Sequence, residues 1–392
     1  MRWCHAGTTA CQNPFGDPMK LGLGLYRHML TPENFAFARQ AGATHIIAHL
    51  VDYFRGGSHA HAEDQPTGTD RGWGIAGDPD ALWTTAELLA LRQNIEAAGL
   101  TLEAIENFDP AHWYDILLDG PLRARHIENV QTLIRHVGEA GIPMMGYNFS
   151  IAGVAGRTTG PYARGGASAV GMEGPYDLPL PKGMAWNMVV GPAELDHGLL
   201  PQVTHAQLWD RLRRFLDEVL PVAEAAGVKL AAHPDDPPMP FIRGTPRLVY
   251  QPSHYQRLID ANPSPSNTLE FCVGSLAEMT EGDIYQVVGH YARQQRIGFV
   301  HLRNVVGKVP TYKESFIDDG DVDVLRVLRI LHECGFEGVV IPDHAPQMSC
   351  AAPWHAGMAF ALGFMAAGLQ TLGRALDRIP PGPMHDSPSA GL

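Results

Sequence analysis

The sequence predicts an α/β fold, a (β/α)8 TIM barrel with long inserted loops at its C-terminal face. Three observations carry this. A helix end, a glycine and an apolar run recur in that order five times along the chain. Eight strand-like apolar runs can be counted in all. Four of them end on a residue that can bind a metal: His233, Cys272, His301 and Asp343. Glycine just past a helix closes it in the left-handed conformation. An apolar run after it, buried on both faces, suits a parallel strand. Eight such units close a barrel, and the chemistry of such barrels gathers at the C-terminal strand ends.

In chain order, residues 21–25 form the first expected strand. Thr31-Pro32-Glu33 opens a helix, with a hydroxyl cap followed by proline at the first helical position. That helix ends at Gly42, before a strand over 44–49. Helical apolar spacing over 85–98, 122–140, 205–226 and 322–334 is each time followed by glycine and then a strand: 102–106, 143–148, 229–233 and 338–343. Strands over 269–272 and 297–301, with a helix over 283–294 between them, complete the set. An apolar helix over 355–372 closes the barrel. Two stretches exceed simple connections: 58–84, with His59 and His61, and 150–204, rich in Gly and Pro. Both follow strands and so lie over the barrel mouth, as lids or contacts between copies of the chain. The domain reading is an N-terminal extension over 1–18, one catalytic barrel over 19–376, and a flexible tail over 377–392.

Composition narrows the function. A hydrophobic fraction of 45% and a charged fraction of 18% in 392 residues support one large core. The net charge of -13, without a basic run, argues against nucleic acid and anionic membranes as partners. No apolar run approaches the ~18 residues of a membrane span. Five scattered cysteines point to a reducing, cytoplasmic setting rather than a disulfide framework. No phosphate-cradling glycine–lysine loop, Gly-x-Ser-x-Gly elbow or Cys-x-x-Cys pair is present.

Two imidazoles, a thiolate and a carboxylate at equivalent strand ends make a divalent-metal site, with zinc, iron and manganese as candidate ions. Such an ion polarises a substrate carboxylate or hydroxyl, or ionises water. His344 follows Asp343 and is a candidate general base, or else a surface or supporting histidine. Glu270 points the same way as Cys272 and is read as a carboxylate orienting a ligand, or a polar residue of the barrel layer. Arg303 and Asn304 follow His301 and are candidates for binding substrate oxygens. Arg157 can clamp a carboxylate bidentately or be a solvated loop arginine. Asp235 and Asp236 follow His233-Pro234 and suit a turn.

The segments His233-Pro234-Asp235-Asp236-Pro237-Pro238, Cys272-Val273-Gly274-Ser275-Leu276, His301-Leu302-Arg303-Asn304-Val305 and Pro342-Asp343-His344 resemble the mannonate dehydratase family, a branch of the xylose-isomerase-like barrels. Weaker echoes are Ile95–Leu100, Tyr147-Asn148-Phe149, Arg157-Thr158 and Gly320–Asp323. The resemblance implies a manganese-dependent lyase that converts D-mannonate to 2-dehydro-3-deoxy-D-gluconate and water, with iron or zinc as other candidate metals. It implies His233, Cys272, His301 and Asp343 as metal ligands and His344 with Arg303 as catalytic groups. Arg157, Asn304, Tyr147 and Asn148 would bind the sugar acid. It also suggests a homo-oligomer. The chain departs from the family at Gly24-Leu25-Tyr26-Arg27, at Tyr312–Phe316, within 111–120 and near Trp354-His355, where an expected tyrosine is missing. A sugar isomerase or epimerase of the same superfamily, and a non-catalytic sugar-binding relative, are the alternative readings.

Overall fold

The structure is a computed structural model that describes residues 19–56, 66–67, 71–195 and 197–376. The expected extension over 1–18, the expected tail over 377–392, and His59 and His61 lie outside the described residues.

Eight parallel strands close into a barrel in sequential order. They are β1 (Lys20–Leu25), β2 (His45–His49), β3 (Thr101–Glu106), β4 (Met144–Tyr147), β5 (Lys229–Ala232), β6 (Asn267–Cys272), β7 (Ile297–Leu302) and β8 (Val339–Pro342). All eight expected strands are present, each within a residue or two of its expected bounds. The cause is local and repeated. Thr84 and Thr204 build capping boxes with Glu87 and Gln207, which satisfy otherwise orphaned helical N–H groups. Gly227 ends helix His205–Ala226 in the left-handed conformation and turns the chain into β5.

Two apolar layers hold the barrel. Inside it, Ile47, Ala104, Met144, Ala231, Phe299, Val339 and Ile341 pack together. Outside, helix faces such as Val324, Val327, Leu328 and Leu331 of helix Val324–Glu333 are buried against the larger core. Each such side chain contributes about 1.5–3 kcal/mol. The interior turns polar towards the C-terminal mouth, where Glu106, Glu270 and His301 are all buried. Gly146 of β4 makes room for this: a Cβ there would stand 2.5 Å from Glu270 Oε2.

Three α-helices among the described residues were not expected. Pro110–Leu118 is capped by the Asp109 side chain, which accepts from Ala111 N; Pro252–Ala261 and Val273–Glu278 are the others. The insertion over 150–204 is not an irregular lid. It contributes a hairpin, Thr158–Ala163 with Ala167–Glu173, to a four-stranded antiparallel sheet. The other two strands, Asn304–Lys308 and Thr311–Ser315, follow β7. This sheet stands over the mouth: Arg157, Thr159, Ser168 and Glu314 share one pocket with barrel-end residues. Among the described residues no helix is long and apolar enough to cross a membrane.

Candidate metal centre and pocket

Register brings the predicted ligands together. Cys272 on β6 pairs directly with His301 on β7. His301 in turn pairs with Ile341 on β8, two residues before Asp343. The ligand atoms of His233, Cys272 and His301 lie within 4.8 Å of one another. Asp343 borders them, with Oδ1 3.4 Å from His301 Nδ1 and Oδ2 3.7 Å from Cys272 Sγ. A second group, Glu106, Glu270 and His301, is equally compact. His301 joins the two: its Nε2 is 3.4 Å from Glu270 Oε1 and 3.6 Å from Glu106 Oε2.

These donors suit a cation. His233 Nδ1 lies 2.7 Å from the Pro234 carbonyl, to which it donates. Burial lowers the pKa of this ring, but Cys272 and Glu270 outweigh it and raise it to about 9. A bound cation would therefore displace the Nε2 proton and take that lone pair. The buried Glu270 oxygens and both His301 nitrogens lack a hydrogen-bond partner of good geometry. Buried polar groups left so are costly and point to something missing between them. Burial pushes the Cys272 thiol up, but the Arg303 charge and the adjacent His233 and His301 rings carry it down to about 5. Cys272 is thus a thiolate near neutrality, the form that binds metals. Burial raises the Asp343 carboxyl, and the adjacent His344, His301 and Arg303 outweigh it and hold it well below its usual range. Of the two interior carboxylates, burial and the neighbouring Glu106 keep Glu270 neutral. For Glu106 burial is outweighed by His49 and His301, which bring it to about 2. Like charges this close share a proton.

Arg303 stands behind the ligands rather than in the pocket wall. Its guanidinium reaches Asp236 at 2.7 Å, Glu278 and Glu314 at 2.8 Å each, and Asp343 at 3.1 Å. Asp236 also accepts from Ser275 Oγ at 3.1 Å. Asp235 holds a turn, accepting from Leu248 N and Val249 N and pairing with Arg247. His344 sits in the pocket wall, with Nδ1 3.1 Å from Glu314 Oε1 and Nε2 3.2 Å from Asp343 Oδ1. Arg157 also lines the pocket, buried, and lies 3.8 Å from Glu314. Asn148 lines it too, donating to the Pro234 carbonyl and accepting from Trp186 Nε1. The structure does not bring Tyr147 or Asn304 into that wall. Tyr147 is buried against Phe215, at 5.6 Å between ring centroids. Asn304 is locked to the Ile317 and Val322 carbonyls.

Sequence reasoning passed over the other half of the pocket. Tyr26, His49, Tyr53, Glu106, Trp73 and Trp186 line it. His49 and Glu106 are the last residues of β2 and β3. The strand-end rule that selected His233 and Cys272 would have found both.

A closed (β/α)8 barrel carrying imidazole, thiolate and carboxylate groups at its C-terminal mouth defines a barrel enzyme with a candidate metal centre. The sequence profile of the D-mannonate dehydratase (UxuA) family matches residues 30–170 and 194–373, so the chain belongs to that family, one of hydro-lyases. It is similar to mannonate dehydratase 2 of Halalkalibacterium halodurans, with 34% identity over 281 residues, 67% of this chain and 79% of that one. Mannonate dehydratase of Thermotoga maritima is 33% identical over 287 residues, 67% of this chain and 78% of that one. The crystal structure of mannonate dehydratase from Streptococcus suis serotype 2 superposes with a TM-score of 0.71 at 24% identity, covering 96% of this chain and 100% of that one. A structure of L-ribulose 3-epimerase has the same fold, with a TM-score of 0.53 at 15% identity, covering 92% of this chain and 97% of that one.

Proposed function

We propose that this chain removes water from a sugar acid, D-mannonate first among them, to give 2-dehydro-3-deoxy-D-gluconate, with manganese as its metal. The observation that carries the reading is the meeting of two devices in one pocket. The cluster of His233, Cys272, His301 and Asp343 lies beside the His344–Glu314 pair. The four cluster residues would hold the ion, with iron or zinc as alternatives. When bound, the ion supplies positive charge that polarises the substrate carboxylate and acidifies the hydrogen at C2.

The chain's own residues do the rest. Glu270, against His301 Nε2, keeps that ring turned so that Nδ1 faces the ligand cluster. Arg157, buried at the pocket wall, is a bidentate donor for a carboxylate or a pair of hydroxyls. Asn148, fixed by Pro234 and Trp186, offers a preset polar edge. Trp73 and Trp186 give the sugar chain an apolar wall and limit water. His344 takes the C2 proton at Nε2, while Glu314 on Nδ1 orients the ring and stabilises its charged form. Arg303, buried among carboxylates, holds Asp343 and Glu314 in place.

One observation favours an isomerase or epimerase instead: the second compact group, Glu106 and Glu270 with His301. A carboxylate pair around a metal suits proton transfer without loss of water. The assay that separates the readings uses metal-stripped protein, with and without manganese, on D-mannonate and a panel of other aldonates. A 2-keto-3-deoxy acid that forms only with metal and vanishes in His344→Ala supports the dehydratase. C2 hydrogen exchange without that product supports the isomerase. Neither event, despite bound metal, contradicts both.

A further inference from the structure

Water loss from a 3-hydroxy acid needs two groups: a base for the C2 hydrogen and a donor that protonates the departing oxygen. His344 and Glu314 line the pocket, and so does Tyr26. It follows β1 directly, and its carbonyl accepts from Met29 N at 2.8 Å, which anchors it at the rim. Its ring packs on His49 at 4.9 Å between centroids and edge-on to Tyr53 and Phe54 at 5.9 and 6.3 Å. These contacts set the direction of the phenol.

The Tyr26 hydroxyl makes no hydrogen bond to another described residue, although the side chain lines the pocket. The neighbouring phenol is committed. Tyr53 accepts from Asn107 Nδ2 at 3.1 Å and lies 3.2 Å from His49 Nδ1. Glu106, Glu314 and Asp343, which line the same pocket, are charged and can only accept. Tyr26, Thr159 and Ser168 keep O–H groups in the pocket not engaged with another described residue, and of these only the Tyr26 phenol is acidic enough to be an effective proton donor. Burial, then Asp343 and Glu106, push its phenol well above its ordinary range, so it carries its proton at neutral pH.

We infer that Tyr26 is the general acid for the leaving hydroxyl, an assignment that rests on the dehydratase reading above. His344 Nε2 takes the C2 proton, and the C–H electron pair becomes the C2–C3 double bond. The C3–O bond breaks with its electrons, and the oxygen takes the Tyr26 proton and departs as water. The proton gained by His344 returns to Tyr26, and the enol tautomerises to the keto acid on its own hydrogens, so the enzyme is restored.

The test compares metal-loaded wild type and Tyr26→Phe on D-mannonate and on its 3-deoxy-3-fluoro analogue, because fluoride leaves without needing a proton. For Tyr26→Phe, water loss falls about 100-fold or more in kcat, KM stays within about threefold, and fluoride release stays within about threefold of wild type. The ratio of fluoride to water release is internal to each preparation, so it decides the matter even if less of the variant folds. Water loss within threefold of wild type overturns the assignment. So does an equal fall in both reactions, which marks a structural role. A wild type that releases neither water nor fluoride overturns the dehydratase reading itself, and this assignment with it.

Discussion

Replacing Arg303 with methionine should destabilise the protein and disarm its thiolate together. Arg303 is 1% exposed and touches Asp236, Glu278, Glu314 and Asp343 within 3.1 Å. Burial keeps Glu278 neutral, so three charges depend on one guanidinium. Removing one partner of a buried ion pair costs about 3–5 kcal/mol, because the remaining charge is left uncompensated. An unfolding entropy of about 2.1 cal/mol/K per residue over 392 residues gives about 0.8 kcal/mol/K. The melting temperature of metal-free Arg303→Met should therefore fall by about 4–6 °C. Arg303 is also the strongest influence that lowers the Cys272 thiol against its burial. Thiolate absorbance near 240 nm, corrected with Cys272→Ser, should titrate well above the wild-type value of about 5. A melting point within 1 °C of wild type and an unmoved thiolate midpoint would refute this account of Arg303.

Further outcomes follow from the same structure. Glu278→Gln should melt within about 2 °C of wild type, because a neutral carboxyl and an amide make similar demands on Arg303. Cys272→Ser should weaken manganese binding at least tenfold by calorimetry, since a hydroxyl does not ionise in this range; equal affinity would remove Cys272 from the ligand set. Glu314→Gln should lower kcat more than it raises KM, because it acts on His344 rather than on substrate. Stability should also depend on His45 and His126, both held neutral by burial at about 4. Their native values lie below the ordinary 6.5, so the unfolded chain binds more protons and stability falls from pH 6.5 down to about 4. His126 Nδ1 accepts from Asp115 N; His126→Asn keeps an acceptor without the charge and should flatten part of that slope in pH-dependent melting.

Much of the barrel was legible because its signals are local. A capping threonine, a glycine past a helix and an apolar run each act within a few residues, and together they located all eight strands. The gathering of His233, Cys272, His301 and Asp343 at one place was legible for the same reason, since a strand end fixes direction before any packing is known. The sheet over the mouth was not. Its hairpin over 158–173 finds its partners more than 130 residues later, at Thr311–Ser315. Arg303 shows the same limit. Beside a strand end it reads as a substrate group, whereas its carboxylate partners come from separate loops that only the closed barrel brings together. Tyr147 failed by direction: it is the last residue of β4, and its side chain points into the outer layer against Phe215. Helix Pro110–Leu118 carried a readable cap, Asp109 with Pro110 at the first position, so that miss lay in the reading.

The four strand-end residues are proposed to form one metal centre. Crystals of the metal-stripped protein, soaked in manganese and measured at the manganese absorption edge, test it directly. One anomalous peak is expected among His233, Cys272, His301 and Asp343, lost in Cys272→Ser. A peak at the Glu106–Glu270 pair alone, or none among these residues at a concentration that supports turnover, would contradict it.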